Sequence, residues 1–189
     1  MNTTRPLSIP VILGTARKGR MSAHAARWMV SHIASRPNVE TQLLDIADMG
    51  LVMDDAGEAI KDAGISETLT RADGLVIVSP EYNHSFPGLL KHFLDAYLKE
   101  YIHKAAGVVG VSAGIFGGAR GIQDLLPVLR ELGLVSIFWD VNIGNVSQVF
   151  DADGRLLDDA LVRRADKFLD ELIWMSTTLR YGRETVPLR

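Results

Sequence analysis

Cysteine is absent from the 189 residues of this chain. Its absence excludes disulfides, thiolate nucleophiles and cysteine-ligated metals or iron–sulfur clusters, and it suits a reducing compartment. No uninterrupted apolar run is long enough to span a bilayer. The opening "MNTTRPLSIP" lacks the apolar core of a secretory leader. The expected compartment is the cytoplasm, with no membrane partner. Neither sign of charge dominates, since 20 Lys and Arg against 23 Asp and Glu leave −3 at pH 7. A nucleic-acid surface needs a concentrated basic face, so no nucleic-acid partner is expected. Repeats, low-complexity tracts and linkers are missing too. With 47% hydrophobic residues, the chain is expected to fold as one domain over residues 1–189.

What is present is a strict alternation of short apolar runs and amphipathic segments. "SIPVILG" (residues 8–14), "VETQLLDI" (39–46), "GLVIVSP" (74–80), "AAGVVGVSAG" (105–114) and "LVSIFWDV" (134–141) read as strands. The third is the unbroken run expected of a parallel strand buried on both faces. Between them, "SAHAARWMVSHIAS" (22–35) reads as a helix opening at a capping-type serine, Ser22. "EAIKDAGISETLTRA" (58–72) is a helix interrupted by Gly64. "GLLKHFLDAYLKEYI" (88–102) places Leu89, Phe93, Tyr97 and Tyr101 in one row at four-residue spacing. "ARGIQDLLPVLREL" (119–132) should bend or restart at Pro127. Residues 156–180 form a final helix with Leu157, Leu161, Phe168, Leu172 and Met175 on its apolar face. Such alternation predicts an α/β fold, a parallel sheet with helices on both faces, and its five strands are consistent with a flavodoxin-like three-layer sandwich in the order 2-1-3-4-5. Ligands of such sheets sit at the carboxyl ends where strand order reverses.

Three loops gather at that edge. The first, "GTARKGRMS", joins a strand to a helix N-terminus, where free N–H groups and the positive dipole end favour an anion. Thr15 and Ser22 add hydroxyls, and Arg17 and Arg20 add charge. It is not a Walker loop, because Arg20 and Met21 stand where the lysine and Ser/Thr belong. A small ligand's phosphate is indicated; the bland alternative is a solvated basic loop. The second, "PEYNHSFPG", carries Glu81, Tyr82, Asn83 and His84 after a fully apolar strand. Tyr82 offers an aromatic face or packs half-buried, Asn83 forms a turn or borders a ligand, and His84 is taken as an exposed loop residue. The third, "SAGIFGGARG", has Gly114, Gly117, Gly118 and Gly121, letting backbone touch a planar ligand or simply turn. Together they make a phosphate clamp, an aromatic-polar wall and a glycine-rich wall, the shape needed for flavin mononucleotide (FMN).

These motifs resemble the NADPH-dependent FMN reductase family of the flavodoxin-like superfamily, whose members include quinone, azo-dye and chromate reductases. "GTARKGRMS" is similar to its G-[ST]-x-R phosphate loop. "PEYNHSFPGLLKHFLD" is very similar to its P-E-Y-N-x-[ST]-x-P-x-x-L-K-[NH]-x-[IL]-D signature, and "SAGIFGGARG" to its glycine-rich third loop. The likeness spans residues 9–141; the tail beyond Asn142 reads as a packing helix. The family's S-x-x-N is not kept, since "AHAARW" follows Ser22.

The resemblance implies that Thr15, Arg17, Arg20, Met21 and Ser22 surround the FMN phosphate and ribityl chain. Pro80, Glu81, Tyr82 and Asn83 would border the isoalloxazine, with Ser112, Gly114, Gly117 and Gly118 opposite. It implies an enzyme passing a hydride from NADPH (or NADH) through FMN to a small-molecule electron acceptor, with no side-chain nucleophile or metal required. Arg120 would contact the NADPH phosphate or pair with Asp124. A homodimer or homotetramer through the helix that starts at Gly88 is implied as well. The competing class is a flavodoxin-type electron carrier, which would be strongly acidic with a T-x-T-G-x-T loop. A third is a scaffold that has lost its flavin.

Overall fold

The computed structural model describes residues 5–51 and 61–188. Among these, the strand segments are β1 (Leu7–Ser8), β2 (Val11–Leu13), β3 (Val39–Glu40), β4 (Leu43–Asp45), β5 (Gly74–Pro80), β6 (Ala105–Val111), β7 (Val135–Ser136) and β8 (Val141–Ile143). The α-helices are α1 (Ser22–Ala34), α2 (Ala63–Arg71), α3 (Gly88–Asp95), α4 (Ala119–Glu131), α5 (Val146–Val149) and α6 (Asp159–Thr185). All strand pairings are parallel. The main sheet runs β4-β2-β5-β6-β7, with β8 also beside β6, and β1 pairs β3 separately.

The strand count therefore departs from the expected five, because three of the five lanes are split. Pro10 has no N–H to give, so the first lane breaks between β1 and β2. Ile9 and Val11 still donate to Glu40 and Gln42 carbonyls on the neighbouring lane. The last lane breaks because residues 138–139 bulge away, their N–H groups going to the Glu171 carboxylate instead of the sheet.

Alternation along β5 explains the layers. Val76 and Val78 pack in one core with Ala26, Met29, Phe168 and Leu172 from α1 and α6. Leu75 and Ile77 pack in the other with Leu69, Phe93, Ile122 and Leu125 from α2, α3 and α4. The result is an α/β sandwich with helices on both faces.

Several helix boundaries differ from those read in the sequence. The N-cap of α1 is Met21, with no side-chain hydrogen bond, so Ser22 does not cap. Residues 58–60 of the predicted second helix lie outside the described residues; the rest starts later, capped by Asp62 accepting from Ile65 N–H. The third helix stops at Asp95. Tyr97 and Tyr101 are buried, but from the turns that follow, with the Tyr97 hydroxyl accepting the Asp62 N–H at 3.2 Å. The four-residue row therefore ends at Phe93, and of the segment that follows only Leu98 and Ile102 keep large apolar exposure. Through Pro127 α4 neither restarts nor stops; burial of Ile122, Leu125 and Leu129 on the sheet spans the lost hydrogen bond. Leu157 precedes α6 and is exposed, whereas Leu161, Phe168 and Leu172 are buried as expected.

Lys104 is buried, its ammonium donating to the Leu69 and Thr70 carbonyls. Burial, helped by the nearby Arg183 cation, lowers its pKa to about 8. The unfolded chain thus binds more protons than the native one above pH 8, and stability should rise with pH there. The slope is at most about 1.4 kcal/mol per pH unit. Burial raises the Tyr101 pKa well above its usual value, so the native state keeps a proton that the unfolded chain loses, and the rise should reverse beyond about pH 10. Urea titrations at pH 7 to 10.5 check this; a flat or falling profile between pH 8 and 10 contradicts it.

Candidate functional site

The carboxyl ends of β2, β5 and β6 open onto a cleft of about 390 Å³. The first loop leaves β2 through Gly14, whose N–H bonds the Val78 carbonyl at 2.9 Å. A Cβ there would lie 2.8 Å from Leu90 Cδ2 and 3.2 Å from the Val78 carbonyl, so any larger residue would have to push the Leu90 side chain aside and crowd β5. Thr15 is buried. Its Oγ1 accepts the Arg17 N–H and lies 3.1 Å from the Tyr82 hydroxyl. The Arg17 guanidinium stands over the Tyr82 ring, 5.6 Å from its centroid.

At the start of α1 the polar groups are not all paired. Arg20 forms an ion pair with Asp45, and Asp45 in turn accepts the Ala47 N–H. Yet Arg20 Nε and Ser22 Oγ are buried without a hydrogen-bond partner. Leaving such groups unsatisfied costs roughly 1–3 kcal/mol each. Both residues line the cleft, along with Arg17, Lys18, Gly19 and Met21.

The second loop forms the facing wall with Pro80, Glu81 and Tyr82. Tyr82 and Ser85 bond each other's backbone at 2.8 and 3.1 Å, closing a tight turn. Its central residues, Asn83 and His84, have φ of 51° and 70°. That is the geometry Asn tolerates best among non-glycine residues. Both side chains are exposed, and neither lines the cleft. The Glu81 carboxylate is only 7% exposed and turns from the cleft to α4. It accepts the Arg120 Nε at 2.8 Å and the Arg120 N–H at 3.2 Å. Glu81, not Asp124, is therefore the partner of Arg120.

From the third loop Ser112 lines the cleft, next to Val111 and Ala113, while Gly114, Gly117 and Gly118 do not. The buried pair, Gly117 and Gly118, has φ of 60° and 78°. A Cβ on Gly118 would fall 2.7 Å from the Val111 nitrogen, and one on Gly117 2.8 Å from the Asn142 carbonyl carbon. They let the loop lie flat on β6. Val146, at the start of α5, completes the lining and donates its N–H to Ser112. Lys18, Gly19, Val111, Ala113 and Val146 line the cleft but were not among the predicted residues. Val146 follows the last lane at the same sheet edge, and that position was the available signal.

Three loops thus converge on one cleft at the sheet edge where the strand order reverses. The sequence matches the NADPH-dependent FMN reductase family over residues 7–148, well over half the chain. The chain belongs to that family. It is an FMN-dependent NAD(P)H oxidoreductase, an enzyme whose electron donor is NAD(P)H. The match continues past Val141, where the motif resemblance was expected to stop, and so takes in β8 and Val146.

An NAD(P)H-dependent FMN reductase of Pseudomonas aeruginosa is 31% identical over 156 residues, covering 78% of this chain and 83% of the relative. A quinone reductase of Escherichia coli is 34% identical over 131 residues, covering 65% and 69%. Among solved structures, a flavoenzyme NAD(P)H:(acceptor) oxidoreductase from Paracoccus denitrificans superposes with a TM-score of 0.75 at 24% identity, over 89% of this chain and 98% of that one. That likeness supports the fold.

Proposed function

We propose that the cleft holds FMN with its phosphate at the start of α1, and that the enzyme reduces a small organic acceptor of the quinone class. One observation carries the cofactor placement: Ser22 Oγ and Arg20 Nε are buried donors with nothing to donate to. A phosphate offers only acceptors, and it is the chemical complement of that pair. The Arg20 charge is already held by Asp45, so Arg17 and Lys18 supply the positive charge that a phosphate dianion calls for. Azo compounds, metal oxyanions and free flavin are the alternative acceptors; the quinone reductase among the relatives supports the first choice.

FMN, when bound, supplies the hydride chemistry. The protein's part is binding and orientation. The Thr15–Tyr82 hydrogen bond and the Arg17 cation fix the Tyr82 ring as one wall. With Glu81 committed to Arg120, that wall carries no free carboxylate to repel the phosphate or an electron-rich ring. Ser112 and Ala113 stand on the other side. Gly114, Gly117 and Gly118 act by shaping the loop, and Asn83 by forming the turn. The chain acts as a single domain in the cytoplasm, as a homodimer or homotetramer.

The deciding experiment is the visible spectrum of the purified protein before and after anaerobic NADPH, followed by a quinone. A yellow protein that bleaches and recovers its colour with turnover is expected. A protein that stays colourless and takes up no FMN would overturn the cofactor placement. A yellow protein that NADPH leaves unbleached, with no quinone turnover, would favour the electron carrier.

A further inference from the structure

We propose that Phe116, steadied by Arg120 and flanked by Ile115, is the platform on which a planar aromatic acceptor lays its ring; this rests on the FMN reading above. Phe116 is 61% exposed and Ile115 75%. They sit on the loop whose root, Ser112 and Ala113, lines the cleft. Adjacent in sequence and both facing water beside the cleft, they form one contiguous apolar patch of the kind that marks a binding surface.

The loop is held rather than left to move. Gly114 accepts the Asn145 N–H at 3.0 Å, and its neighbour Ile115 runs so close to Gly144 that a Cβ there would come within 2.6 Å of the Ile115 carbonyl. On the other side, the Arg120 guanidinium stands 5.0 Å from the Phe116 ring centroid. Arg120 is itself anchored by the carboxylate of Glu81, a residue of the cleft wall whose side chain turns from the cleft to α4. One chain of contacts therefore runs from the flavin wall to an outward aromatic ring.

The occupant follows from size and chemistry. Ile115 and Phe116 together offer on the order of 300 Å² of contact, well short of the roughly 800 Å² per partner that a stable protein interface buries. A second subunit is too large an occupant for this patch alone; a ring of one or two fused cycles matches it. A flat apolar ring, with the neighbouring Arg120 charge already paired to Glu81, favours a flat organic acceptor over a hydrated oxyanion, which gains nothing from an apolar surface.

The test uses FMN-loaded protein and its Phe116→Ala and Phe116→Tyr variants. Menadione is titrated calorimetrically into the oxidised proteins without NADPH, so that binding is read apart from turnover. Phe116→Ala should weaken menadione about tenfold, roughly 1.4 kcal/mol, and Phe116→Tyr should restore it to within threefold of the parent. In turnover, the KM of Phe116→Ala should rise at least fivefold more for menadione than for ferricyanide. Menadione binding within twofold of the parent, in protein that takes up FMN normally, overturns the platform alone. Failure of the parent to take up FMN overturns the cofactor reading and the platform with it. A fall in sedimentation coefficient on Phe116→Ala would show that another subunit covers the ring, and would also overturn the proposal.

Discussion

Replacing Asp73 with alanine should remove about 3–5 kcal/mol of folding stability, read as a fall in the urea midpoint at unchanged slope. The carboxylate is fully buried just before β5. It accepts from Arg5 at 2.7 and 2.9 Å, from Arg183 at 3.1 Å, from Arg180 at 3.4 Å and from the Ser8 N–H at 3.1 Å. One anion thus ties the segment before β1 and the last turns of α6 to the head of the central strand. Without it, three guanidinium groups face one another beside the buried Lys104. Only the Glu184 and Glu40 carboxylates are left to offset them, and neither hydrogen-bonds this cluster as Asp73 does. The Ser8 N–H also loses its acceptor. Removing one partner of a buried ionic network leaves uncompensated charge, and that penalty sets the size of the effect. The exposed Arg130–Glu131 pair, 3.5 Å apart with both side chains at least 80% exposed, is the contrast. Glu131→Ala should stay within about 0.5 kcal/mol. Asp73 and the cleft lie at opposite ends of a seven-residue strand, roughly 20 Å apart. FMN affinity measured below the unfolding transition should therefore be unchanged in Asp73→Ala. A loss of less than about 1 kcal/mol would mean that solvent or another anion already serves these arginines.

That cluster was invisible in the sequence, and the reason is general. β5 and β6 were legible to the residue or nearly so, since burial on both faces leaves an unbroken apolar run that nothing else in the chain resembles. The edge lanes were not, because their breaks depend on what the neighbouring lane and α6 offer to Pro10 and to residues 138–139. Ion pairs failed for the same reason. A local rule offered Asp124 to Arg120 at four-residue spacing, whereas the partner found, Glu81, is 39 positions away. Arg20 likewise meets Asp45 across 25 positions. The loops of the site could be named from strand order alone, since a parallel sheet sends alternate loops to one edge. Which side chains enter the cleft depended on turn geometry. Positive φ at residues 83 and 84 points Asn83 outward, and the flat course of Gly117 and Gly118 keeps those glycines beneath the loop.

Ser22→Ala should move stability and cofactor affinity in opposite directions. The Ser22 hydroxyl is 3% exposed by residue and makes no hydrogen bond. In the FMN-free protein its removal deletes an unsatisfied group at the first position of α1, where alanine also has the better helix propensity. The apo variant should be as stable as the parent or more so, by up to about 1–2 kcal/mol. A hydrogen bond to a charged group is worth about 1.5–3 kcal/mol, so the same substitution should weaken FMN by about 10- to 150-fold. Urea melts of apo protein and quenching of flavin fluorescence read the two quantities separately. The sign of each matters more than its size. A residue kept for packing would lose stability and leave FMN binding alone, because the methyl left behind fills less space. A hydroxyl satisfied by water in the apo state would lose a little of both. Only a donor held unpaired for a ligand's phosphate gives a more stable apo protein that binds its cofactor poorly, and unchanged FMN affinity in Ser22→Ala would remove the phosphate from the start of α1.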